Sequence, residues 1–346
     1  MAYSTENVTQ KSTPPLLRNA HLLAFESFLR QRGAPVDSYL RHHGLPVLCD
    51  DPNDFLPLLK IWSFFDDAAR HEDPRLGWLV GEHVGDQQLN ANLLRKIETA
   101  PSLLQGMRRL IQMVSAEATD IDIGIHERPD DVLIYMHYPG MRETPGYMVS
   151  QAYQLGLFLD LIRQFLGRQW VPDEIGIESP SVPPVAEEIF PNCRILAQRT
   201  AGYIAVPRSS LHQSVPPWDP KVGYADNPLL SENSPPLAGD FSYLDWLRAV
   251  LKSYLSEGYP SEQVAAELMN TSTRTLSRRL SSFDYTYGML INELRFNTAK
   301  EQLQNTSEKI GDIANNVGFN DQGDFTPMIS RLSGQTPSEL RKATRN

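Results

Sequence analysis

SEQVAAELMNTSTRTLSRRL, residues 261–280, and IGDIANNVGFNDQGDF, residues 310–325, spell one pattern twice. In each copy a short helical stretch carries a small residue, Ala266 or Ala314. Four positions later comes a residue that tolerates a left-handed backbone, Asn270 or Gly318. The helix that follows offers an inner apolar pair, Leu276 with Leu280 in the first copy and Phe325 with Ile329 in the second. A small crossing residue, a tight turn and an apolar inner face are what a helix-turn-helix unit requires. Ser261 is placed to cap the first helix, and Ile310 and Ile313 supply the apolar face of the third. Between the copies, Tyr287 to Gln304 reads as one long connecting helix whose Leu290, Leu294 and Leu303 set the spacing of the two units.

Upstream of this all-helical part, residues 214–240 read SVPPWDPKVGYADNPLLSENSPPLAGD, dense in Pro, Gly, Ser and Asn and without periodicity. Such a stretch is a linker, semi-stiff because of its prolines. It divides the 346 residues into a polar, poorly ordered tail at 1–15, a domain at 16–213, the linker at 214–240 and the tandem helix-turn-helix domain at 241–346. Phe241 to Ser256 supplies one further helix ahead of the first unit.

The first domain mixes periods. Helical spacing runs through Leu16 to Arg32, Pro57 to Arg70, Ala91 to Ile97, Pro101 to Val114 and Tyr147 to Leu166. Short β-rich runs fall at Ile121 to Ile125, Val132 to Tyr138, Glu174 to Ile177, Arg194 to Ala197 and Tyr203 to Val206. The sum is an α+β regulatory domain joined to an all-α domain. Val132, Ile134 and Met136 alternate with Leu133, Tyr135 and His137, so both faces of that strand are expected to be covered at least in part. Tyr147, Tyr153, Leu157, Phe158, Leu161 and Phe165 make a broad apolar stripe; Tyr153, Leu157, Phe158 and Leu161 either pack in the core or form a dimer face. Trp62, Phe64, Phe65 and Trp78 line either a core or a ligand pocket.

The net charge of −10 would disfavour nucleic acid if it were spread evenly, and it is not. From Phe241 onward there are 12 basic and 12 acidic side chains, so the whole excess of acid lies upstream. Ser272 to Leu280 holds Arg274, Arg278 and Arg279 and no acid. No run approaches the roughly eighteen apolar residues of a membrane span, and the first residues lack the features of a secretory leader. Two cysteines, Cys49 and Cys193, suit a reducing cytoplasm better than a disulfide framework. No nucleophile elbow, phosphate loop, dinucleotide fingerprint or zinc-protease motif is present, so neither catalysis nor a cofactor is expected. Nor is a metal site expected: the histidines are scattered, and adjacent His42 and His43 would not share a face within one helix.

The C-terminal hundred residues resemble the DNA-binding domain of the AraC/XylS family of transcription regulators. The likeness rests on SxRTLxRRL at 272–280, ELRxxxAxxxL at 293–303, IxxIAxxVGFxDxxxF at 310–325 and GQTPSELR at 334–341. Residues 16–215 resemble, more loosely, the arabinose-binding-like effector domain of one branch, through the helix at 151–166 and FPNCRILAQRTAGYIAVPRSSL at 190–211. The resemblance implies that Arg274, Ser277 and Arg278 read bases in the major groove, where arginine can donate two hydrogen bonds to guanine. Ser272 and Thr273 flank them, and Gln322 and Thr326 stand in the corresponding region of the second unit. The second unit departs from the family pattern. TPMIS follows Phe325, Asp321 to Leu332 carries one Arg against two Asp, and Pro327 would clash with the Gly323 carbonyl in a helix that began at Asp321. A late start with Asp324 as N-cap would resolve that clash.

The expected function is an activator that binds double-stranded DNA at two adjacent major-groove segments. It would be a homodimer through its N-terminal domain, open to a small-molecule effector and to contact with RNA polymerase. The alternative is a sensor or partner-binding protein acting by protein contact, its operator binding impaired by the second unit.

Overall fold

The first helix of the N-terminal domain starts three residues later than its periodicity predicts. In the computed structural model, which describes residues 14–84, 100–114, 117–214, 242–258, 260–319 and 321–343, Leu16–Arg18 is a strand (β1). It runs antiparallel to β2 (Phe55–Pro57), with Leu17 opposite Leu56. Backbone pairing therefore overrides the helical reading of Leu16, and Pro57 likewise belongs to the strand and not to the helix after it. Helix α1 (Asn19–Gln31) has no side-chain cap. Its first amides instead donate to loop carbonyls, Asn19 to Asp54 at 2.8 Å and Ala20 to Pro52 at 3.0 Å.

The chain divides into two compact units: Pro15–Leu45 with Asp50–Gly239, and a second containing Asp240–Asn346. Most of the tail expected at 1–15, the helix expected at Ala91 to Ile97 and nearly all of the linker expected at 214–240 lie outside the described residues.

After α1 the first unit continues with α2 (Val36–His42), α3 (Leu58–His71), α4 (Leu76–Val84), α5 (Leu103–Val114), α6 (Tyr147–Leu166) and α7 (Pro184–Ile189). Strands β3 (Asp122–Glu127), β4 (Asp131–His137), β5 (Glu174–Gly176), β6 (Arg194–Leu196) and β7 (Gly202–Pro207) form one sheet in the order β3-β4-β7-β5-β6. All neighbours are antiparallel except β5 and β6. Each of these strands lies within two residues of its expected limits. Val132, Ile134 and Met136 point into the core and their alternates are half-covered. Helices α2, α4 and α7 were not legible: α2 and α7 are too short to show a period, and α4, LGWLVGEHV, is apolar almost all round.

Helix α6 settles the question its stripe raised. Tyr153, Phe158 and Leu161 are buried within their own chain, and Leu157 is half-buried. The helix packs on β7 from one side and against α3 and α4 from others. Where α4 crosses it, the backbones nearly touch: a Cβ on Gly81 would sit 2.4 Å from the Tyr153 carbonyl oxygen, with Gly156 Cα at 3.0 Å. The dimer-face reading of Tyr153, Leu157, Phe158 and Leu161 is therefore corrected, because core packing already covers the stripe. Trp62, Phe64, Phe65 and Trp78 are core as well. Polar groups also fix α6. Buried Glu178 accepts from Tyr147 Oη and, at 2.9 Å, from Gln151 Nε2, while its own amide donates to Gln151 Oε1 at 3.0 Å.

The described residues of the second unit contain no strand. Their order is α8 (Tyr243–Ser253), a 3-10 turn (Leu255–Glu257), α9 (Glu262–Leu268), α10 (Thr273–Ser281), α11 (Tyr287–Asn305), α12 (Ile310–Asn316), α13 (Gln322–Ser333) and α14 (Pro337–Ala343). The architecture is an α+β domain followed by an all-α domain with two helix-turn-helix units on a long helix.

Candidate nucleic-acid interface

The first helix-turn-helix is assembled by caps. Ser261 Oγ accepts from the Val264 amide at 3.2 Å and opens α9. Ala266 is buried against the helix that follows, and Asn270 takes φ 48°, the left-handed conformation that ends the turn. Thr271 N then donates back to the Ala266 carbonyl at 2.8 Å. Ser272 Oγ accepts from the Thr275 amide at 3.2 Å and starts α10, so Ser272 is itself the N-cap. Leu276 and Leu280 are fully buried, which turns the opposite face of α10 outward.

Arg274 and Arg278 lie on that outer face, Ser277 on its flank and Thr273 at the start of the helix, and all four are exposed. Among the described residues neither the Arg274 nor the Arg278 side chain has a hydrogen bond or ion pair. Two guanidinium groups one helical turn apart are thus held ready for an external acceptor. Ser277 and Arg279 differ from them. Ser277 Oγ donates to Glu262 of α9, so its hydroxyl proton is engaged. Arg279 lies back over the Tyr243 ring at 4.7 Å and braces α10 on α8.

The second unit repeats the turn with glycine. Ala314 is fully buried, Gly318 has φ 76°, and Phe319 N donates to the Ala314 carbonyl at 2.9 Å. Phe325 and Ile329 fill the core beneath α13 together with Leu303, Ile313 and Val317. Helix α13 starts at once: Asp321 accepts from the Asp324 amide at 3.1 Å and from the Gly323 amide at 2.6 Å. The expectation of a late start capped by Asp324 is corrected, since Asp321 holds the cap and Pro327 is an internal residue. Pro327 leaves the Gly323 carbonyl without an intrahelical donor, but both residues are exposed and water can reach that oxygen. Gln322 is exposed at the first position of α13, and Thr326 is half-buried.

Two fastenings that the sequence reading did not pick out join the units to α11. Arg248 of α8 grips Glu293 in a fork, Nε to Oε1 at 3.0 Å and Nη2 to Oε2 at 3.1 Å, and Tyr285 Oη adds a third bond to Oε2 at 2.8 Å. Two residues along α11, Arg295 lies 4.4 Å from the Phe319 ring centroid and its Nη2 reaches the Gly318 carbonyl at 3.4 Å. Burial lowers the pKa of Arg295 to about 10. A two-residue step turns a helix by roughly 200°, so Glu293 and Arg295 face opposite sides, Glu293 toward α8 and Tyr285 and Arg295 toward the turn of the second unit. The ELR motif marks both residues, but spacing alone does not reveal what they hold.

The model of the arabinose-binding domain of AraC transcription regulators matches residues 33–215, more than half of the chain, and a helix-turn-helix domain model matches residues 265–343. The chain belongs to the AraC family. Among curated AraC-family relatives, the activator RhaR of Klebsiella pneumoniae is 36% identical over 106 residues, 30% of this chain and 36% of that protein. The ornithine utilization regulator of Pseudomonas aeruginosa is 34% identical over 85 residues, 25% of each chain. The matched stretches span only about a quarter to a third of those relatives. A solved structure, the transcriptional regulator CdpR of Pseudomonas aeruginosa, aligns over 89% of this chain and 96% of its own with 17% identity and a TM-score of 0.36. No described helix is long and apolar enough to cross a membrane.

Proposed function

We propose that this AraC-family protein is a sequence-specific transcription regulator, an activator, that inserts α10 and α13 into two adjacent major-groove segments of double-stranded DNA. The observation that carries the reading is the pair Arg274 and Arg278: exposed, without a protein partner among the described residues, and seated on a capped helix whose other face is core. Arginine on such a helix can donate in a fork to a guanine edge, and Thr273 and the backbone at the start of α10 lie where phosphate contacts would set the register. Ser272 acts through the cap. Gln322 is the reader in the second unit, and half-buried Thr326 stands behind it.

The N-terminal unit would sense a small molecule and join two copies, through a surface other than the buried stripe of α6. RNA polymerase is the partner an activator would touch, and the cytoplasm the compartment in which Cys49 and Cys193 stay thiols. No enzymatic role is proposed. A second reading draws on α13, where Pro327 and an excess of acid once the cap Asp321 is counted oppose phosphate binding: a sensor acting by protein contact, with operator binding impaired.

Electrophoretic mobility shifts over a salt series separate the two. The regulator binds one sequence far more tightly than random DNA, with affinity falling steeply as salt rises. A protein that works by protein contact shows weak binding without sequence preference.

A further inference from the structure

Two histidines adjacent in sequence are brought to one place by the way α2 ends. His42 is its last residue, and His43 follows as the cap with φ −90° and ψ 4° before Gly44 turns the chain at φ 61°. Only one of the pair is helical, so the rule that keeps helical neighbours on different faces does not apply. Their rings meet edge to face with centroids 4.9 Å apart. The expectation that they would not share a face is thereby corrected.

Asp67 of α3 stands opposite them. Its Oδ2 is 3.3 Å from His43 Nε2, and one ligand atom each from His42, His43 and Asp67 lie within 4.8 Å of one another. The second Asp67 oxygen, Oδ1, lies 3.2 Å from Nδ1 of His71, one turn further along α3. Lys60 Nζ donates to the His43 carbonyl at 3.2 Å and steadies the turn that carries the ring.

We propose that His42, His43 and Asp67 form a site for a divalent transition-metal ion of the zinc, cobalt or nickel kind. Two imidazole nitrogens with one carboxylate suit these borderline ions, whereas magnesium and calcium require a shell of oxygens. Bonds of ~2.0–2.1 Å bring the ligand atoms closer together than they stand here, and exposed His42 is free to swing inward. His71 Nδ1 bonds the Asp67 backbone carbonyl at 2.9 Å and lies beside the other carboxylate oxygen, which makes His71 an outer neighbour of the ligand. Three protein ligands leave the ion open to water and exchangeable, and a bound ion clamps the end of α2 to α3. This proposal stands apart from the DNA reading, since the residues belong to the N-terminal unit and the test uses no DNA.

The test is titration of tag-free, chelator-treated full-length protein with Co2+, read by visible absorption, and with Zn2+, read by calorimetry. The expected result is one equivalent bound with ligand-field bands and no thiolate charge transfer. His42→Ala and Asp67→Asn should each weaken binding at least ~tenfold, and His71→Ala less. His42 is exposed, so its variant keeps the fold, and the unfolding temperature measured in chelator verifies this. Undetectable binding, wild-type affinity in the His42→Ala and His43→Ala variants, or a thiolate band placing cobalt on Cys49 or Cys193 would overturn the assignment.

Discussion

Arg274 and Arg279 are both arginines of one short helix with opposite fates, decided by which side of the Leu276–Leu280 stripe each falls on. Arg274→Ala should cost ~1–3 kcal/mol at the base it reads, seen as lost discrimination in competition binding, with the unfolding temperature unchanged. Arg279→Ala should do the reverse, costing ~0.5–1 kcal/mol of stability through the lost contact with Tyr243 while preference among DNA sequences survives. The sequence placed the three arginines on a basic edge but not the tyrosine 36 residues earlier that claims one of them, nor the acid that claims Ser277. Those are tertiary facts without a local signal. Glu26 gives the residue scale a pH signature. Burial raises its pKa from 4.5 to about 7 against the pull of Arg30, so the folded state holds a proton that the unfolded state releases. The contribution is fully present below about 4.5 and is lost as pH rises through about 7. Denaturant melts should show stability falling by ~1–3 kcal/mol across that window, and Glu26→Gln should flatten the fall. A variant that retains the full slope would shift the cause to another group.

At the scale of the element, α13 is where local rules and fold disagree. Internal Pro327 argues for a late helix start, yet Asp321 holds the cap because its carboxylate satisfies two amides at once, and Phe325 is fully buried beneath the helix it opens. Asp321→Ala should therefore destabilise the second unit by ~0.5–2 kcal/mol in thermal unfolding. Pro327→Arg tests whether α13 touches DNA: an added cation at this exposed position should tighten binding and steepen the salt dependence by about one counterion. An unchanged slope would leave α13 off the duplex. Elsewhere the readable elements were those with long periods or strict alternation, α6, α11 and β4. The strand at Leu16 and helix α4 escaped because pairing with Phe55–Pro57 and all-round burial leave no periodic trace.

At the scale of the whole molecule, the order of an α+β unit and a tandem helix-turn-helix unit was legible from composition and from the repeated turn, because turn chemistry at Asn270 and Gly318 is local. What covers α6 was not, since an apolar helix reads alike whether it faces a core or a partner, and α6 proved to face the core. Removal of residues 1–240 should leave a monomer that binds a site weakly, checked by light scattering beside mobility shifts. A dimeric fragment would place the pairing surface in the second unit. Helix α11, tied through Glu293 to α8 and through Arg295 to the turn of the second unit, is proposed to present two recognition helices to successive grooves. Hydroxyl-radical footprinting of wild type and Arg274→Ala on one selected site tests it most directly. Two protected segments on one face of the duplex, ~34 Å apart, are expected, with the α10 segment alone lost in the variant. A single segment in the wild type, or loss of neither in the variant, would contradict it.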